Sequence, residues 1–153
     1  MLYACDCAWW QKYRGVPAFS GLKLTADRAL TRKDWGVHRI EVTRHDDRIL
    51  VNRPGVTGWG GNSGFQCLNL AVQFGAAKII LVGYDMRIDK GVHWHGLHEG
   101  LNNPTERNVS RWRRVVDDAA GPISAMGIKV INASAVSALE NYRKMDFREA
   151  LEC

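Results

Sequence analysis

The stretch GWGGNSGFQCLNLAVQFGAAKIILVGYDM, residues 58 to 86, constrains this chain most. Glycines at 58, 60, 61 and 64 make a turn whose backbone can approach another group closely. Phe65, Leu68, Ala71, Val72 and Gly75 then recur at helical spacing, with Asn62 or Ser63 placed as the cap. KIILVG follows, a continuous apolar run of the kind found in strands covered on both faces, and it stops at Tyr84 and Asp85. Turn, capped helix and buried strand in that order predict a helix that feeds a central strand.

The rest of the chain extends this alternation. MLYACD reads as a short buried strand, and DCAWWQKYRG as a short helix with Asp6 able to cap it and Gly15 ending it. AFSGLKLT has strand character, VHRIEVTR (37–44) alternates imperfectly, and DRILV is its hairpin partner or the next strand. Asn103, Pro104 and Glu106 resemble a helix start, which predicts a helix over roughly 105–120 that buries Val109, Trp112, Val116 and Ala119 or Ala120. Gly121 and Pro122 would end it. GIKVIN reads as another short strand, and SALENYRK and DFREAL as closing helical turns. Strands alternating with helices predict an α/β domain with a mainly parallel sheet, in which ligands sit outside the carboxyl ends of the strands.

Composition bounds the function. With 153 residues, 46% of them hydrophobic, the chain holds one core, so residues 1–153 are read as a single domain. A formal charge of +5 suits an anionic ligand without demanding one. No Lys/Arg run or RNA-binding signature supports nucleic acid as partner. Cys5 and Cys7 are a single residue apart in an apparent strand, where neighbouring side chains point to opposite faces, and the four cysteines read as thiols, not as a disulfide framework. There is no basic-then-apolar leader and no apolar run near the roughly 18 residues of a membrane helix, so a cytoplasmic protein is expected.

Three features should converge at the strand ends: the turn with Gly61, Asn62, Ser63 and Gly64; Tyr84 with Asp85; and the long loop 86–104 carrying His93, His95 and His98. Exposed amides at the helix start would favour phosphate or carboxylate. The turn matches neither phosphate-binding fingerprint, since Ser63 stands where a dinucleotide-binding turn has its third glycine and no Lys follows as a Walker loop needs. A tight turn before a capped helix is the competing reading. HWHGLH offers general bases near neutral pH, or metal ligands together with Asp85 or Glu99, or structural hydrogen bonds beside Trp94. Its spacing matches no zinc signature. Arg107, Arg111 and Arg114 share a helix stripe that is either a solvated face or, at Arg107, a phosphate contact. Trp59 and Trp94 are core residues or stacking platforms for a base or sugar ring.

NSGFQCLNLAVQFGAAKIILVGYDM, with Ser63-Gly64 opening the helix and Gly83-Tyr84-Asp85-Met86 closing the strand, resembles the corresponding region of bacterial sialyltransferase-like proteins and of the related hydroxymethylpterin diphosphokinase-like (motility accessory factor) proteins. Phage-borne members of that group are similar also at LYACDCAWW, HWHGLHEGLNNP, VINAS and SALENY. The resemblance implies a Rossmann-like three-layer domain that binds a nucleotide or nucleotide sugar. It also implies that Ser63 and Gly64 line the pocket and that one of His93, His95 or His98 acts as base, with no metal or cofactor. Such proteins begin with a further strand and a Gly-x-Gly-Pro-Ser turn, so the chain is expected to be an abbreviated version of that fold. Two functions are then expected. One is a glycosyltransferase-like enzyme; the other is a non-catalytic protein that holds a nucleotide-like ligand or a host protein, or pairs an open sheet edge in a homodimer.

Overall fold

A computed structural model describes residues 1–89, 91 and 103–153. It is a mixed helix and strand fold in which every strand pair is parallel. Strands β1 (Leu2–Tyr3), β2 (Lys23–Thr25) and β3 (Val37–Arg39) form one sheet in the order β1-β2-β3. β4 (Glu41–Thr43) pairs with β5 (Val56–Gly58), and β6 (Lys78–Leu81), β7 (Lys129–Asn132) and β8 (Arg143–Lys144) form a sheet in the order β6-β7-β8. Only Ile40 separates β3 from β4, and its N–H donates to the Thr25 carbonyl at 2.9 Å. Residues 37–43 are therefore one extended run that pairs with β2 through its first half and with β5 through its second.

The helices are α1 (Cys7–Lys12), α2 (Ser63–Gln73), α3 (Glu106–Asp118), α4 (Ala120–Ala125) and α5 (Phe147–Glu152). Helix α2 is central because its apolar residues fall on two faces. Phe65, Leu68 and Val72 join Leu81, Val115, Val116, Ile123 and Leu139 in the larger core, while Leu70 packs with Leu24 and Ile40 in the smaller. Full burial of such side chains contributes about 1.5–3 kcal/mol each. The third face of α2 is polar, with Asn69 fully buried and Gln73 half-buried. Asn69 Oδ1 accepts from the Leu50 and Gly58 amides at 3.0 and 3.1 Å, and its Nδ2 donates to the Leu50 carbonyl at 2.7 Å. Gln73 Nε2 donates to the carbonyls of Leu50 and Val56, both at 2.7 Å, and its Oε1 accepts from Gly55 N–H at 3.0 Å.

Those amides explain one departure from expectation. DRILV forms no strand, because α2 side chains satisfy part of the backbone that a ladder would otherwise pair, and Ile49 alone of the stretch is buried in the core. The strand that pairs with β4 is instead VTG, β5, which leads directly into the glycine turn. KIILVG pairs only through its first four residues and on one side, at the edge of its sheet among the described residues, with Ile79 and Ile80 half-buried and Val82 58% exposed. A central position was expected. α3 begins later than its sequence signals indicate, with Thr105 and not Asn103 as cap, Thr105 Oγ1 accepting from Asn108 N–H at 3.3 Å. Gly121 and Pro122 do not end the helical path, since Pro122 lies in the first turn of α4, where its missing N–H costs nothing. SALENYRK is irregular and then β8, because Leu139 and Tyr142 turn into the core and Asp117 accepts from the amides of Glu140 and Asn141. DFREAL is helical as expected, with Asp146 capping α5.

Candidate functional site

The glycine turn is built by packing. Asn62 caps α2, its Oδ1 accepting from Phe65 N–H at 2.9 Å. Gly60 and Gly61 have φ of +57° and +75°, and a β-carbon at either would overlap protein atoms, the Phe65 ring at 60 and the Arg111 guanidinium at 61. The close approach that these glycines permit is thus to the chain's own side chains. Asp47 holds the outside of the turn, accepting from Gly60 N–H at 3.0 Å and from Arg111 Nη2 at 2.9 and 2.7 Å. The same guanidinium lies 4.1 Å from the Trp59 ring centre, a cation–π contact. Ser63 and Cys5 tie the start of α2 to the end of β1: Ser63 Oγ accepts from Cys5 N–H at 3.2 Å and donates to its Sγ at 2.9 Å. Burial pushes the Cys5 thiol up to about 11, so it is a neutral thiol near pH 7.

On the other side of the turn stands the exit of β6. Tyr84 Oη donates to the Gly64 carbonyl at 2.8 Å, linking the strand end to the first turn of α2. Its backbone is pinned from β7: Tyr84 N–H donates to Ser134 Oγ at 2.9 Å, and Ser137 Oγ donates to the Tyr84 carbonyl at 2.7 Å. Buried Asn132 organises both serines, donating to Ser137 Oγ at 2.8 Å and accepting from Ser134 N–H at 3.1 Å. Desolvation raises the Tyr84 phenol, which therefore serves as a hydrogen-bond donor and not as a base. Arg113 Nε donates to the Met86 carbonyl at 3.2 Å, fixing the segment beyond.

Two cavities flank the turn, and Asn62 lines both. The first, of about 450 Å³, lies between Asn62, Gly64, Tyr84, Asp85, Trp112 and Val136. The second, of about 930 Å³, opens past the ends of β1 to β4 and is lined by Trp59, Gly61 and Asn62 together with Arg28, Arg39 and Arg44.

Of the residues singled out from sequence, Gly61, Asn62, Gly64, Tyr84 and Asp85 line one cavity or the other. Ser63 lines neither, its hydroxyl being engaged with Cys5. Arg107, in the first turn of α3, is exposed and lines neither. Arg111, from the same stripe, is the residue that packs on the turn. His93, His95, His98, Glu99 and Trp94 lie outside the described residues. Sequence reading missed Asp47, Asn132 and the arginine trio. Asp47 acts through Arg111, sixty-four positions on, Asn132 through serines that turn back onto Tyr84, and the three arginines meet only through strand pairing, so only Asp46-Asp47 beside a glycine turn was a visible hint.

The class that the fold defines is α/β with parallel strands and ligand-sized cavities at their carboxyl ends. No family model, no curated protein and no solved structure matches the chain. No helix among the described residues is long and apolar enough to cross a membrane.

Proposed function

We propose that the chain is a nucleotide- or nucleotide-sugar-binding protein with a Rossmann-like three-layer arrangement, its ligand seated between the start of α2 and the exit of β6. One observation carries this reading: Asn62 and Gly64 meet Tyr84 and Asp85, a helix and a strand further along the chain, with Trp112 around one cavity of about 450 Å³. That size falls within the usual range for small-molecule sites, roughly 300–1,000 Å³. Its chemistry also fits. The amide of Gly64, which lines the cavity, has no acceptor among the described residues, so it can donate to an anionic or carbonyl oxygen at a helix start. The Asp85 carboxylate makes no hydrogen bond among the described residues and can accept from ribose or sugar hydroxyls. Trp112 and Val136 offer apolar surface to a ring. In the catalytic form of this reading one of His93, His95 or His98 takes a proton from an acceptor during glycosyl transfer. In the binding-only form the same ligand is held without turnover.

The test is a thermal-shift panel of nucleoside mono- and diphosphates and sugar nucleotides against the wild type and Val136→Trp. Val136 is 41% exposed, so the bulkier ring fills the cavity with little cost to the fold. The expected outcome is a raised midpoint with one nucleotide class, lost in Val136→Trp. No shift with any member at millimolar concentration rejects the reading. Turnover of the stabilising sugar nucleotide then separates the enzyme from the binding protein.

A further inference from the structure

We infer that the second cavity is an anion site for phosphoryl oxygens, held by Arg28, Arg39 and Arg44. The register of the strands brings these residues together. Arg39 is the register partner of Thr25, the last residue of β2, and Arg28 follows Thr25 by three positions. Thr43 at the end of β4 is the partner of Gly58, so Arg44 and Trp59 leave their strands side by side. Three exposed arginines thus line one cavity at the carboxyl ends of β2, β3 and β4, where parallel sheets place their ligands.

The charges of the cavity are unequally engaged. Its carboxylates have donors of their own: Asp27 accepts from the amides of Cys7 and Ala29 at 2.7 and 2.8 Å, Glu41 pairs with Arg53 at 3.5 Å, and Asp6 accepts from the Cys5 thiol at 3.3 Å. The guanidinium groups of Arg28, Arg39 and Arg44 have no hydrogen bond, ion pair or ring contact among the described residues. A guanidinium fork left open in a concave polar site is suited to bind phosphate oxygens bidentately. The remaining wall is Trp59, whose ring is held by Arg111 and is 39% exposed, together with Gly61 and Asn62 of the turn. The sixteen-position spacing between Arg28 and Arg44 matches no phosphate-binding motif, so the site is legible only once the strands are paired.

The inference borrows only the ligand class from the nucleotide reading, and inorganic pyrophosphate, which has neither sugar nor base, tests it separately. Pyrophosphate is titrated at low salt into the wild type, Arg39→Ala/Arg44→Ala, Arg28→Ala and the control Arg148→Ala, following the melting midpoint. Arg148 lies on α5, which Lys78 joins to the opposite end of β6 through its bonds to the Ala150 and Leu151 carbonyls. Saturable stabilisation of the wild type is expected, with the half-saturating concentration about tenfold higher or more in Arg39→Ala/Arg44→Ala, raised in Arg28→Ala and unchanged in Arg148→Ala. An equal loss in Arg148→Ala reduces the effect to net charge and overturns the site, as does a wild type that pyrophosphate leaves unshifted. Val136→Trp keeps its response to pyrophosphate if the site is right. Failure of the nucleotide panel alone therefore leaves this site standing, and failure here leaves the first cavity untouched.

Discussion

Replacing Asn69 by Leu isolates the polar face of α2 as a determinant of the fold. Asn69 is fully buried, and its amide serves three backbone groups: the N–H of Leu50 at 3.0 Å, the N–H of Gly58 at 3.1 Å and the carbonyl of Leu50 at 2.7 Å. Leucine has the same branching and number of side-chain heavy atoms, so no empty space is left, and its bulkier methyl groups can only add to the cost. The Leu50 carbonyl keeps Gln73 Nε2 at 2.7 Å, which leaves two amides without a partner. At about 1–3 kcal/mol for each buried unsatisfied group, less some relaxation, the loss is about 2–4 kcal/mol. Urea denaturation followed by tryptophan fluorescence reads this as a lower midpoint with an unchanged slope, and the thermal midpoint falls by about 5–15 °C. A loss below about 1 kcal/mol would refute the reasoning, because the loop would then be held by its apolar contacts. Asn69→Asp sharpens the test. It keeps the oxygen that accepts from both amides but buries a carboxylate against the Leu50 carbonyl, which raises its pKa in the folded state. The protonated acid donates to Leu50 as Asn does, so the variant should be more stable at pH 5 than at pH 8.

Asp47→Ala removes the acceptor of Gly60 N–H and the partner of Arg111, both on a half-exposed surface, and should cost about 1–2 kcal/mol in the same urea assay, with Asn recovering part of it. An unchanged midpoint would mean that Phe65 and Trp112 alone hold the turn. Thiol reactivity checks the environment of Cys5. At pH 8 a thiol at about 11 is ionised in roughly one molecule in a thousand, so Ellman's reagent should label exposed Cys153 quickly and Cys5 slowly. Peptide mapping that finds Cys5 labelled as fast as Cys153 would contradict the buried pair with Ser63.

Local chemistry was readable where one residue acts on its near neighbours. Asn62 caps α2 three residues on, Asp146 caps α5 two residues on, and Gly15, with φ of +70°, closes the turn after α1. Strand identity was less readable, because a strand exists only by pairing. VTG becomes β5 through Glu41, Val42 and Thr43, and RK becomes β8 through Ile131 and Asn132. The apolar run of β6 announced a strand but not its neighbours, and it lies at a sheet edge among the described residues.

The sequence by itself determined the alternation of strands with helices and the capped start of α2, since those follow from spacings of a few positions. Only the tertiary structure decided which side chains are engaged. Ser63 is turned toward Cys5, Arg111 is drawn onto Trp59 and Asp47, and Arg28, Arg39 and Arg44 are brought past the ends of adjacent strands. The physical reason is the same in each case. A hydrogen bond, an ion pair or a shared cavity wall depends on distance in space, and parallel pairing joins residues that the chain keeps far apart.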